Sequence, residues 1–188
     1  MKTVVIVVDM LNDFFERSAV LAMHRERLVK STNRLVRGFR AERLPVIWIR
    51  QEFAPDLHDA FAEMRSKSIA VTIAGTSGCE LLPELDRHPT DLMIVKKRYS
   101  AFFGTNLDER LSEIKPDTVV IAGVNTHACV RTTAIDAYQR DYEVIVAADC
   151  IASNDPEHHD VTVRYLDDKV CRILPTSDIL RMIEAPSD

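Results

Sequence analysis

At 188 residues, 46% hydrophobic and 28% charged, the chain has the size and composition of a globular protein with one full-sized core, and a single domain over 1–188 is expected. The formal net charge of -5 gives no electrostatic reason to expect nucleic acid or an anionic membrane as a partner, and no apolar run approaches membrane-spanning length. The four cysteines, at 79, 129, 150 and 171, form no CxxC pair and no disulfide-like spacing, so a reducing, cytoplasmic setting is expected.

In chain order, Thr3 to Val8 is a short β-branched run that reads as a buried strand. It is too short for a signal sequence and ends at Asp9, a carboxylate at a strand's carboxyl end, where open α/β sheets place functional groups. A turn or helix-cap role is the alternative for Asp9. Glu26 to Glu42 carries Leu28, Leu35, Val36 and Phe39 at helical spacing. Pro45 to Ile49 gives the next strand. Residues 55–77 lack a strong period and are long for a connection, which suggests a lid or binding segment with turn points at Gly75 and Gly78. Leu81, Leu82 and Leu85 could form one helical turn. Leu92 to Val95 is a third strand, followed by the adjacent cations Lys96, Lys97 and Arg98. A helix is expected from Leu107 to Ile114.

Asp117 to Asp149 is the stretch on which the rest converges. Thr118 to Ala122 is another buried strand, closed by Gly123. From about Ala128 to Arg140 the pattern is helical, with Val130, Ala134, Ala137 and Tyr138 on one side, and Glu143 to Ala148 is again a strand. Cys129 thus falls where a strand hands over to a helix, where unpaired N–H groups and the helix dipole favour a thiolate. The alternative is an inert core cysteine. After a polar loop through Asn154, Asp155-Pro156 starts a helix with Val161, Val163, Leu166 and Val170 on its apolar side. A last strand, Cys171 to Leu174, and a helix capped by Thr176 or Ser177 complete the pattern.

Strands alternating with helices predict a three-layer α/β/α fold, a doubly wound, mainly parallel, Rossmann-like sheet. Right-handed crossovers bring the strand carboxyl ends to one edge, so Asp9, Lys96 and Cys129 converge there. A carboxylate can take a thiol proton, and an ammonium can hold that carboxylate ionised and stabilise developing negative charge.

The segments VVIVVDMLNDFF, VKKRYSAFFGTNLDERL and VVIAGVNTHACVRTTAIDA resemble the three signature stretches of the isochorismatase-like cysteine hydrolases, a group that includes nicotinamidases, N-carbamoylsarcosine amidases and ureidoacrylate amidohydrolases. The resemblance implies the isochorismatase-like hydrolase fold, with Cys129 as nucleophile, Asp9 as general base and Lys96 as the lysine of K-x-R-Y-S-A-F; Lys97 is the fallback register. It also implies a cis peptide at Val124–Asn125 and an oxyanion cradle from the backbone N–H groups of Asn125 and Cys129. The expected substrate is a small amide or carbamoyl compound, and a homo-oligomer, dimer or tetramer, is expected.

Two departures from the family pattern narrow this reading. Metal-containing nicotinamidases carry D-W-H-x-x-x-H after the second strand; here the chain has Ile49-Arg50-Gln51-Glu52-Phe53 and only His58 nearby, so no metal and no cofactor is expected. Members that cleave the vinyl ether of isochorismate often lack the cysteine, so its presence favours C–N cleavage. The vinyl ether reaction and a non-catalytic scaffold are the alternatives. Phe14, Trp48, Tyr99, Phe102 and His127 are candidate pocket residues, though His127, two residues before Cys129, points along the loop on that spacing. His158-His159-Asp160 reads as a solvated helix start, and the five glycines form neither GxGxxG nor a phosphate loop.

Overall fold

A computed structural model describes residues 2–167 and 169–184. Six strands form one sheet in which every pairing is parallel: β1 (Thr3–Val8), β2 (Val46–Gln51), β3 (Leu92–Lys96), β4 (Thr118–Val124), β5 (Glu143–Ala152) and β6 (Arg172–Leu174), in spatial order β3-β2-β1-β4-β5-β6. The helices are α1 (Asn12–Glu16), α2 (Ala19–Ala41), α3 (Ala62–Lys67), α4 (Leu107–Ile114), α5 (Arg131–Tyr138), α6 (Pro156–Leu166) and α7 (Thr176–Glu184).

The two central strands, β1 and β4, need cover on both faces because their residues are apolar or β-branched, and every residue of both is buried. Alternation along the strands sorts them into two cores. Val5, Val7, Trp48 and Val120 pack against Leu28, Leu35 and Phe39 of α2 and Ile179 of α7. Val4, Ile6, Ile47 and Ile121 pack against Leu107 and Leu111 of α4, Ala134 and Ala137 of α5, and Leu166 of α6. The strand order reverses between β1 and β4, so the loops leaving their carboxyl ends diverge to opposite faces and open a crevice there.

Several elements differ from the expectation. Helix α2 begins seven residues before Glu26, because Ser18 Oγ accepts the Leu21 N–H and caps it; the exposed Met23 hides this turn from periodicity. Strand β5 runs on through Cys150 to Ala152, and its polar Asp149 is used internally, accepting from Thr176 N–H (2.7 Å) and Thr176 Oγ1 (2.8 Å). Leu82 to Leu85 close a single turn, Leu85 N–H donating to Leu82 O at 3.1 Å, without forming a helix; Leu81 bridges Leu11 in antiparallel fashion, and Leu82 N–H donates to Met10 O. Tyr138 and Val161 are exposed rather than inward.

Candidate active site

Asp9 leaves the end of β1 with φ of 53°, a left-handed conformation that aspartate tolerates better than bulky residues. Its side chain is fully buried in the crevice. Lys96 ends β3, two strands away, and its ammonium lies 2.6 Å from Asp9 Oδ2, 3.0 Å from Arg98 O and 3.4 Å from Cys129 Sγ. The Asp9 carboxylate is within hydrogen-bonding reach of both the Lys96 ammonium and the Cys129 thiol. Lys97 points away and pairs with Asp59 at 2.9 Å, so of the two lysines it is Lys96 that faces the crevice.

Cys129 does not sit in the first turn of an α-helix. Thr126–Val130 is a wide π turn, and α5 begins only at Arg131. The turn follows a cis Val124–Asn125 peptide bond, and Asn125 O accepts from both Ala128 N–H and Val130 N–H. Gly123 is required just before it. A Cβ there would stand 1.9 Å from Val8 O, and its φ is +117°. Strands β1 and β4 approach too closely at this end for any side chain. The β4–β5 register shifts between Ile121 and Gly123, so the strand end is re-aimed where the cysteine follows.

The electrostatics correct the expected thiolate. Burial is the largest influence on Cys129; Lys96 opposes it, Asp9 reinforces it, and the thiol is pushed up to about 12. It rests as a thiol. Burial also works against the Lys96 ammonium, but Asp9 and Cys129 outweigh it and hold its pKa above the ordinary lysine value. The resting arrangement is an ion pair beside a neutral thiol.

A cavity of about 660 Å³ opens onto Cys129. Phe14, Tyr99 and His127 line it, as do Asn125 and Asn154. Burial, with the nearby His158, lowers the His127 pKa, and its Nδ1 contacts Ser153 Oγ. Two expected pocket residues lie elsewhere. Trp48 is wholly enclosed in the core against α2, its Nε1–H donating to Asp91 at 2.8 Å, and Phe102 lies in the opposite core under the Arg140 guanidinium. Trp48 leaves the sheet toward α2 and Phe102 turns into the opposite core, directions that composition does not reveal. Gln51, Phe61, Met64, Ile69 and Val71, which form much of the wall, all lie in the 51–77 segment expected to choose the substrate, though none of them could be named individually from the sequence. The aperiodic 55–77 segment was the available signal, and α3 within it carries Met64 to the cavity. His58 is exposed and paired with Asp56 at 2.7 Å, and the described residues contain no cluster of three or more His, Cys, Asp or Glu able to hold a metal ion.

The profile of the isochorismatase domain matches residues 3–178. The chain is 37% identical over 174 residues to a protein of Arabidopsis thaliana named a probable inactive nicotinamidase, covering 89% of this chain and 88% of that one. Its fold matches the N-carbamoylsarcosine amidase of Thermoplasma acidophilum with a TM-score of 0.78 and 31% identity, over 94% and 97% of the two chains. A cysteine hydrolase from Pseudomonas syringae matches with a TM-score of 0.89 and 25% identity, over 97% and 92%.

Proposed function

The chain belongs to the isochorismatase family, and we propose that it is a cysteine-dependent hydrolase that cleaves the C–N bond of a small linear amide or carbamoyl compound through a thioester. One observation carries this reading: the Lys96 ammonium is 2.6 Å from Asp9 and 3.4 Å from Cys129 Sγ, at the edge of a cavity able to hold a small molecule.

Asp9 takes the Cys129 proton as sulfur attacks the substrate carbonyl carbon, so no free thiolate has to persist in the buried site. The carbon–sulfur bond forms, and the carbonyl oxygen becomes an oxyanion beside the N–H groups of Asn125 and Cys129. The C–N bond then breaks as Asp9 returns its proton to the departing ammonia or amine. Water, losing its proton to Asp9, attacks the thioester; the acid leaves and the thiol is restored. Throughout, Lys96 compensates the charge of Asp9 and of the developing oxyanion. An N-carbamoylsarcosine amidase among the structural matches supports C–N cleavage. A non-catalytic reading draws on the name of the Arabidopsis relative, but the enclosed ion pair beside a thiol that lines the cavity favours catalysis. A cytoplasmic homo-oligomer, dimer or tetramer, is part of the same proposal, and light scattering of the purified protein tests the assembly.

The test is a panel of primary amides and carbamoyl compounds read by ammonia release. Turnover of at least one is expected. Release from none, with an isochorismate-type vinyl ether cleaved instead, would replace amide chemistry with ether hydrolysis.

A further inference from the structure

The cavity wall beyond Cys129 is largely apolar, formed by Phe14, Phe61, Met64, Ile69 and Val71. Gln51, at the end of β2, interrupts it. Its Cα is the register partner of Lys96, so the two side chains leave the sheet on the same face. Gln51 is only 5% exposed, and its Nε2 is buried without an acceptor among the described residues. A buried amide without a partner is costly, and such groups in native structures call for an explanation. This one lies next to the proposed reacting centre, and a ligand atom would satisfy it.

The charges near the cavity point the same way. No Lys or Arg is among the lining residues. Lys96 is committed to Asp9, so the pair is neutral overall. Arg98, beside Phe61, donates to the carbonyls of Asp59 and Lys97, and Arg50 pairs with Glu52 and Glu80. His127 is held toward its neutral form. At the exposed rim stands Glu63, paired with Lys67. A carboxylate-bearing tail entering this space would lose water and find no counter-charge.

We propose that the substrate's remaining portion is electrically neutral and mainly apolar, and that Gln51 is the specificity-determining residue that hydrogen-bonds a neutral polar atom beside the scissile carbonyl. This rests on the assignment of Cys129 as the nucleophile above.

Iodoacetamide and iodoacetate are a matched neutral and anionic pair that alkylate Cys129 with loss of iodide as Asp9 takes the thiol proton, so their rates there read the selectivity without knowledge of the natural substrate. Peptide mass spectrometry gives each rate, and glutathione supplies the intrinsic ratio. At Cys129 the iodoacetamide-to-iodoacetate ratio is expected to exceed that of glutathione at least about tenfold. Gln51→Arg, which adds a cation, should pull the ratio back toward that of glutathione. With an amide found by the ammonia panel, Gln51→Met should lower kcat/KM at least about fivefold, mainly through KM. Equal ratios for Cys129 and glutathione would overturn the neutral-substrate inference while leaving the nucleophile in place. Absence of labelling by either reagent would overturn both.

Discussion

Lys96 and Lys97 are chain neighbours with opposite environments, and the difference decides which carries charge into the crevice. Lys96 is fully enclosed against Asp9, while Lys97 makes a partly exposed ion pair with Asp59. Lys96→Met is expected to lower turnover at least about a hundredfold, in line with losing a group that stabilises transition-state charge. Lys97→Met should change it less than about threefold, since exposed ion pairs contribute little. Ammonia-release rates of the two variants, measured side by side, check this; the reverse ranking would move the role to Lys97. Alternation along β3 makes this choice physical, because successive residues leave a strand on opposite faces. The protonation of Cys129 was not legible in the same way. A helix-end effect amounts to about 0.3–1 kcal/mol at exposed positions, whereas complete enclosure can shift a pKa by several units. Burial wins, and burial is not written in the local sequence.

At the scale of elements, the strands and α4 could be read from the chain because their signals are local. A continuous β-branched run needs a sheet with two covered faces, and Leu107 and Leu111 sit one turn apart on the buried side of α4. The π turn holding Cys129 has no such signature; it arises where β4 meets the β5 register shift. Gly123 is the residue on which that junction depends. Gly123→Ala must adopt φ near +117° and displace the Val8 carbonyl, so a loss of about 2–4 kcal/mol in unfolding free energy is expected. Urea denaturation followed by circular dichroism measures it, and a loss below about 1 kcal/mol would show that the β1–β4 contact relaxes easily. Residues 55–77 gave only a negative signal, the absence of a period. Their contribution, a wall of Phe61, Met64, Ile69 and Val71, becomes visible once the segment is seen to fold over the β1–β4 crevice.

Across the whole molecule, enclosed thiols set an alkaline limit on stability. Cys129, Cys150 and Cys171 are each pushed up to about 12 by burial, from an ordinary value of 9.0. Each raised pKa means that the unfolded chain releases a proton the folded chain keeps. Their contribution is therefore complete below pH 9 and is lost as pH rises from 9 toward about 12, by at most about 1.4 kcal/mol per pH unit for each thiol. The Cys150→Ala, Cys171→Ala double variant should lose less stability than the parent between about pH 8.5 and 10.5 in urea titrations; equal losses would show that these thiols ionise normally in the fold. Metal dependence is a separate whole-molecule test. With Arg50-Gln51-Glu52 following β2 and His58 exposed against Asp56, chelation by EDTA is expected to leave turnover unchanged. A loss restored by zinc or iron would contradict that.

The measurement that bears most directly on the central claim is turnover in Cys129→Ala, with the amide substrate found by ammonia release and the fold checked by circular dichroism. Cys129 is the one free cysteine that meets both the cavity and the Asp9–Lys96 pair among the described residues. The variant is expected to fold and to release ammonia at least about a thousandfold more slowly than the parent. A folded Cys129→Ala protein retaining activity within about tenfold of the parent would contradict cysteine catalysis in this chain.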